Sequence, residues 1–216
     1  MSAAVKIVVV DYDMGNLFSV RNALKAVGYE PVISENPADV QNADGIVLPG
    51  MGAFGNGMRK LGERGLIDAV KAFAASGRPV LGICLGMQLL FEYGEEFGAG
   101  PGLGLLEGRV TRLPDTVKLP QIGWNVVEPL QTGHPIFEGL DKPYYAYFDH
   151  SYAADAMNPA DVAATTDYGR VFPCVVARAN ITGIQFHPEK SSRAGLQMLS
   201  NFGRLVCASR STPQSI

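Results

Sequence analysis

The chain has 216 residues, 47% of them hydrophobic, which suits one sizeable α/β domain with a buried core and excludes disorder for most of its length. Its 18 Lys+Arg against 21 Asp+Glu leave a formal net charge of -3, which excludes a basic nucleic-acid binder. No apolar run approaches the ~20 residues of a membrane span, and Val5 to Val10 lacks the length and the cleavage site of a signal peptide, so a soluble, cytoplasmic protein is expected. Cys84, Cys174 and Cys207 are odd in number and widely spaced, which fits neither a disulfide framework nor a C-x-x-C metal site; a reducing compartment and no metal or cofactor are expected.

In chain order, Lys6 to Val10 is a β-branched run, and Leu17, Val20, Leu24 and Val27 fall at helical intervals that close on Gly28. Pro31 to Ser34 reads as a second strand, Asn36-Pro37 as a helix cap, and Gly45 to Leu48 as a third, buried strand ahead of a glycine-rich loop. Leu66, Ile67, Val70 and Phe73 give the next helix its apolar face, Gly77 ends it, and Pro79 to Ile83 is a fourth strand running into Cys84. Met87 to Tyr93 is expected to be helical. Beyond Gly104 the runs Leu105 to Leu113, Ile122 to Val127, Tyr144 to Phe148, Ala163 to Thr166, Val171 to Ala177 and Ile181 to Phe186 are strand-like. A last helix, capped by Ser191 or Ser192, carries Leu196, Leu199, Phe202 and Val206 on one face. The pattern predicts an α/β fold: a mostly parallel twisted sheet flanked by helices, with a smaller, partly antiparallel extension. Residues 1–208 are expected to form one domain and residues 209–216 a flexible tail.

The sharpest local feature is Gly82-Ile83-Cys84-Leu85-Gly86, a G-x-C-x-G between an apolar strand and a helix start. It is the cysteine form of a nucleophile elbow, whose small neighbours permit the strained turn that exposes the sulfur. A buried structural cysteine is the bland alternative. Gln88, one helical turn on, projects to the same side and can reach a molecule bound over Cys84. Of the bases available, His134 lies in a turn with proline, where no role is expected, and His150 follows Asp149, whose side chain points to the opposite face. In Phe186-His187-Pro188-Glu189 the proline favours an extended His187, so that His187 and Glu189 project together and the carboxylate can orient the ring. Cys84, His187 and Glu189 are therefore the candidate triad. Gly50-Met51-Gly52-Ala53-Phe54-Gly55 matches G-x-G-x-x-G, but it follows the third strand, Pro49 precedes it, and Asn56-Gly57 is expected to break the helix onset. Its other readings are a plain surface loop or an oxyanion hole of backbone N–H groups completed by the Leu85 N–H.

Gly82-Ile83-Cys84-Leu85-Gly86-Met87-Gln88 together with Gln185-Phe186-His187-Pro188-Glu189-Lys190-Ser191 resembles the Cys-His-Glu glutamine amidotransferases. Within them the chain is similar to the glutaminase subunits of imidazole glycerol phosphate synthase. The residues that carry this are Asp11 to Leu17, Pro49 to Phe54, Met87, Pro120 to Asn125 and Tyr147 to Tyr152. The resemblance implies a class I glutamine amidotransferase-like fold and glutamine hydrolysis in histidine biosynthesis. It assigns Cys84 as nucleophile, His187 as base and then acid, and Glu189 as its orienting carboxylate. It further implies that Gly52, Gln88, Ser151 and Tyr152 bind the substrate and that the Gly50-Met51 peptide supplies the oxyanion hole. Ammonia would pass to a separate (β/α)8 cyclase subunit in a heterodimer, with Asn16, Trp124, Tyr147 and Lys190 facing that partner; nucleic acid and membrane are not expected partners. Two residues depart from the family's pattern: Asp149 replaces an apolar residue, and Asp13 stands where glycine is frequent.

Overall fold

The computed structural model describes residues 5–97, 100–156 and 158–211. Its first half alternates β1 (Ile7–Val10), α1 (Leu17–Ala26), β2 (Val32–Ser34), α2 (Pro37–Gln41), β3 (Gly45–Leu48), α3 (Phe54–Glu63), α4 (Leu66–Ala75) and β4 (Val80–Ile83). After a one-turn helix, α5 (Leu85–Gln88), come β5 (Phe91–Gly94), β6 (Gly100–Pro101), β7 (Leu106–Arg112), β8 (Gln121–Pro129), β9 (Tyr144–His150) and β10 (Tyr152–Ala156). The chain continues through β11 (Val162–Asp167), β12 (Val171–Arg178) and β13 (Ile181–Ile184) to α6 (Ser192–Ser211). Among the described residues the main sheet has nine strands in the order β2-β1-β3-β4-β13-β12-β11-β8-β9. β2 to β13 along that order are parallel, and β12, β11, β8 and β9 extend the same sheet antiparallel. A second sheet, β10-β7-β5-β6, lies apart from it in the hydrogen-bond order.

The central parallel strands β1, β3, β4 and β13 are buried throughout because both faces of the sheet are covered there. Ile7 and Val9 of β1 join one core with α1 and α6 residues such as Leu24, Leu199 and Phe202. Val8 and Val10, one residue out of step, join the other with Leu61, Val70 and Phe73 of α3 and α4 and with Phe91 and Val110 of the second sheet. Among the described residues no helix is long and apolar enough to cross a membrane.

Two expected elements are corrected. Residues Met87 to Tyr93 are not one helix: α5 stops at Gln88, and Phe91–Gly94 is a strand paired with β7, Phe91 opposite Leu106. An apolar run of this length satisfies either period, and the partner strand decides it. Asn56-Gly57 does not break the helix after the glycine loop; α3 starts at Phe54 and runs through both. Gly57 costs helix propensity, but a Cβ there would stand 3.2 Å from the side chains of Leu85 and Leu89, so its smallness lets α3 pack on the segment after Cys84. Ala53 provides no side-chain cap; the carboxylate of Glu96, distant in sequence, accepts from the Phe54 N–H at 3.1 Å instead. At the far end α6 continues through Ser211, three residues into the expected tail, and residues 212–216 lie outside the described ones.

Candidate active site

The parallel strands deliver four chain segments to one edge: residues 11–16 after β1, 49–53 after β3, 84–88 after β4 and 185–191 after β13. Loops at the carboxyl ends of such strands are where open α/β sheets bind ligands. Cys84 sits there at φ 53, ψ −112, a conformation costing about 1–3 kcal/mol in a non-glycine residue, held by a 2.7 Å hydrogen bond from its N–H to the Ile184 carbonyl. Its flanking glycines are required by close approach: a Cβ on Gly86 would fall 1.7 Å from the Leu48 carbonyl oxygen, and one on Gly82 would fall 2.7 Å from the Gly86 oxygen. The Leu85 N–H opens α5 and has no intrahelical acceptor, so it is free to meet an oxyanion.

His187 and Glu189 are buried together, their side chains 2% and 1% exposed, with Nδ1 to Oε1 at 2.8 Å. His187 is extended, as the following proline favours, and a 3-10 turn over Pro188–Lys190 brings Glu189 back to its ring. β9 holds the turn in place. The His187 N–H donates to the Tyr147 carbonyl at 2.9 Å, the Tyr147 N–H donates to Ser191 Oγ at 3.0 Å, and Ser191 Oγ donates to the His187 carbonyl at 2.6 Å. Ser191 therefore caps α6 only with its backbone, through the Gly195 N–H, while its side chain positions the histidine. Burial by itself lowers the His187 pKa, but the adjacent Cys84 and the Glu189 carboxylate outweigh it and raise it to about 10. Nε2 of His187 is buried and makes no hydrogen bond in this resting geometry.

A cavity of about 340 Å³ opens over Cys84, lined by Met51, Gly52, Leu85, Gln88, Ser151 and Tyr152 from the expected set. Its volume lies at the small end of ligand sites. Gln88 donates to the Tyr152 carbonyl at 2.8 Å and to Gln185 Oε1 at 3.1 Å, which spends its amide hydrogens and leaves its carbonyl oxygen as the free group. Gln185 in turn directs Nε2 at Cys84 Sγ, 3.9 Å away. Gly50 does not line the cavity; it is packed beneath Tyr12, whose hydroxyl donates to the Pro49 carbonyl at 2.5 Å and anchors the loop ahead of Met51. Asn16 caps α1, accepting from the Ser19 N–H at 3.3 Å. Trp124, Tyr147 and Lys190 form a group of their own: the two rings meet edge-on at 6.2 Å, and Lys190 Nζ is 5.5 Å from the tyrosine ring.

Three residues outside the expected site set also enter it. Glu96 brings a carboxylate to the cavity, with its pKa raised by burial. Gln185 braces Gln88 and the thiol from the strand end. His150 lines the cavity as a neutral ring: burial drops its pKa to about 4, and Nδ1 is 2.8 Å from the Tyr152 carbonyl. Gln185 and His150 stand inside the segments Gln185 to Ser191 and Tyr147 to Tyr152 that carry the resemblance, whereas Glu96 lies in no motif; the contacts of all three come from the fold. His134, expected to be idle, caps a 3-10 turn, its Nδ1 accepting from the Ile136 N–H at 3.2 Å. Asp13 stands at φ 61, where glycine is at ease, and offsets the strain with ion pairs to Lys60 at 3.1 Å and Arg64 at 2.8 Å.

A strained cysteine at a strand end beside a buried His-Glu pair is found with a family match over residues 8–205, to the model described as glutamine amidotransferase class-I. The chain belongs to this family. Among its relatives is the imidazole glycerol phosphate synthase subunit HisH of Symbiobacterium thermophilum, 64% identical over 210 residues that cover 97% of this chain and 99% of that protein. The subunit of the same name from Sulfurimonas denitrificans is 50% identical over 201 residues, covering 91% of this amidotransferase and 96% of the relative. A solved structure titled "Crystal structure of glutamine amidotransferase" superposes with a TM-score of 0.74 at 21% identity, over 93% of this chain and 98% of that one, a likeness of fold.

Proposed function

We propose that this amidotransferase hydrolyses glutamine as the glutaminase subunit of an imidazole glycerol phosphate synthase, in histidine biosynthesis. The observation that carries the reading is Cys84, strained at the end of β4, in one small cavity with the buried His187–Glu189 pair behind it. Glutamine enters with its γ-carboxamide over Cys84. Its α-ammonium group meets Glu96, its amino-acid end lies along Ser151 and Tyr152, and the free oxygen of Gln88 accepts an N–H of the substrate.

Cys84 Sγ, its proton held by His187, attacks the γ-carbonyl carbon, and the negative charge on oxygen is met by the Met51 N–H of the Gly50-Met51 peptide and by the Leu85 N–H. His187 then protonates the leaving nitrogen, the C–N bond breaks, and ammonia departs from a γ-glutamyl thioester. The Glu189 carboxylate favours the protonated ring and so helps hold the proton on His187 until the leaving group takes it. Water, deprotonated by the now neutral His187, cleaves the thioester and regenerates Cys84 with glutamate. Throughout, Glu189 fixes the ring through Nδ1 and stabilises its charge.

Ammonia passes on to a separate cyclase subunit, a (β/α)8 barrel in a heterodimer, where a phosphoribosyl-type nucleotide takes it up. Imidazole glycerol phosphate and an aminoimidazole carboxamide ribotide result. The exposed Trp124, set against Tyr147 with Lys190 over the same tyrosine, supports this face as the contact. The test is glutamate release by the purified chain, alone and with a cognate cyclase and its nucleotide ligand, with Cys84→Ala as the blank. Release that rises on adding both and vanishes in the blank is expected. No release in any mixture, with the cyclase active on free ammonia, refutes the proposal.

A further inference from the structure

β8 and β9 end the main sheet as an antiparallel pair in which Gln121 opposes His150, Ile122 opposes Asp149, and Trp124 opposes Tyr147. Opposed residues share a face and successive ones alternate, so Gln121 and His150 point inward, where both are buried, and Ile122, Trp124, Tyr147 and Asp149 share the outer face. Ile122 and Trp124 are 62% and 54% exposed there, and Tyr145 adds a third large side chain at 55%. This face is continuous with the active-site cavity, because Asp149 belongs to both: it lines the cavity, and its carbonyl oxygen is 3.9 Å from Cys84 Sγ. Lys190, beside Tyr147, supplies one charge here. Asp149 supplies the other, and its half-buried carboxylate has neither a hydrogen bond nor an ion pair among the described residues.

We propose that Asp149 receives a lysine or arginine side chain of the partner subunit, at the rim of the cavity from which ammonia leaves. The inference rests on the reading that a cyclase subunit covers this face. Covering Ile122 and Trp124 strips water from the carboxylate of Asp149, which stands opposite Ile122 on the same face. A desolvated carboxylate without a counter-ion opposes association, while a guanidinium or ammonium group set against it turns the same charge into selection for the right partner. Lys190 does not serve, since it makes no ion pair with Asp149 and stays over the tyrosine ring.

The experiment titrates the cognate cyclase into the wild-type chain, Asp149→Asn and Asp149→Lys by calorimetry, at low and at high salt. Asp149→Asn is expected to bind roughly 30-fold more weakly at low salt, with a smaller deficit at high salt. Asp149→Lys is expected to bind more weakly still and to recover when the opposing basic residue of the cyclase is changed to glutamate. An Asp149→Asn variant that binds as tightly as wild type, or more tightly, overturns the inference while leaving the glutaminase reading intact. A wild-type chain that binds no cyclase at all overturns both.

Discussion

Replacing Ser191 with alanine separates the positioning role of its side chain from the helix-capping role that its place before α6 suggested. The serine is 1% exposed, and its hydroxyl both accepts from the Tyr147 N–H and donates to the His187 carbonyl. Alanine leaves a buried N–H without an acceptor, which costs about 1–3 kcal/mol, and removes a second hydrogen bond worth about 1 kcal/mol. A total of about 2–4 kcal/mol corresponds to a fall in Tm of roughly 4–16 °C for a domain of this size. His187 keeps its own 2.9 Å bond to the Tyr147 carbonyl, so it shifts rather than leaves, and a displacement of about 1 Å lowers kcat by up to ~100-fold. The assays are thermal unfolding and glutamate release with saturating cyclase. Ser191→Thr, which retains the hydroxyl, is expected to recover much of the rate, whereas Ser191→Asp, a good helix cap that cannot donate when ionised, is not. Wild-type kcat in Ser191→Ala with a loss of only about 1 kcal/mol would return the residue to simple capping.

Gly86→Ala places a Cβ 1.7 Å from the Leu48 carbonyl oxygen, so β3 and α5 must part; a loss of about 3 kcal/mol or more and of glutamate release is expected, while Gly133→Ala, with nothing within 4 Å, is expected to change neither. Unfolding melts of both variants check this, and equal stability would refute the packing argument. For His187, a folded pKa raised from 6.5 to about 10 means stability fully present below pH 6.5 and lost as pH rises through about 10. Glu189→Gln removes one cause of that rise, so its stability deficit is expected to narrow between pH 7 and 10; a deficit constant across that range would refute the coupling. His150 has the opposite sign: its pKa, lowered to about 4 by burial, gives stability present above pH 6.5 and lost as pH falls through about 4. His150→Gln is expected to flatten the decline between pH 6.5 and 4, and an unchanged acid limb in melts would count against it.

Much of this molecule is written in short-range terms. β1, β3 and β4 are runs that only a two-sided buried strand tolerates, Gly28 and Gly77 stop their helices by taking positive φ, and glycines around Cys84 mark the elbow because Leu48 and Gly86 leave no room for a Cβ. His187 and Glu189, two residues apart, needed only a local turn to meet. What the chain could not announce was anything whose partner is remote. Phe91–Gly94 is a strand because β7 pairs with it, and α3 begins at Phe54 because Glu96 supplies an acceptor that the local sequence lacks. Ser191 turned from capping to positioning because β9 passes close by, and Gln185 reached Gln88 across nearly a hundred residues of chain. Asp149 was visible as an odd residue from the start, but its place on an exposed aromatic face at the rim of the cavity exists only once β8 and β9 pair. Periodicity and φ preferences are properties of neighbours along the chain, whereas a hydrogen-bond partner or a desolvated charge is a property of neighbours in space.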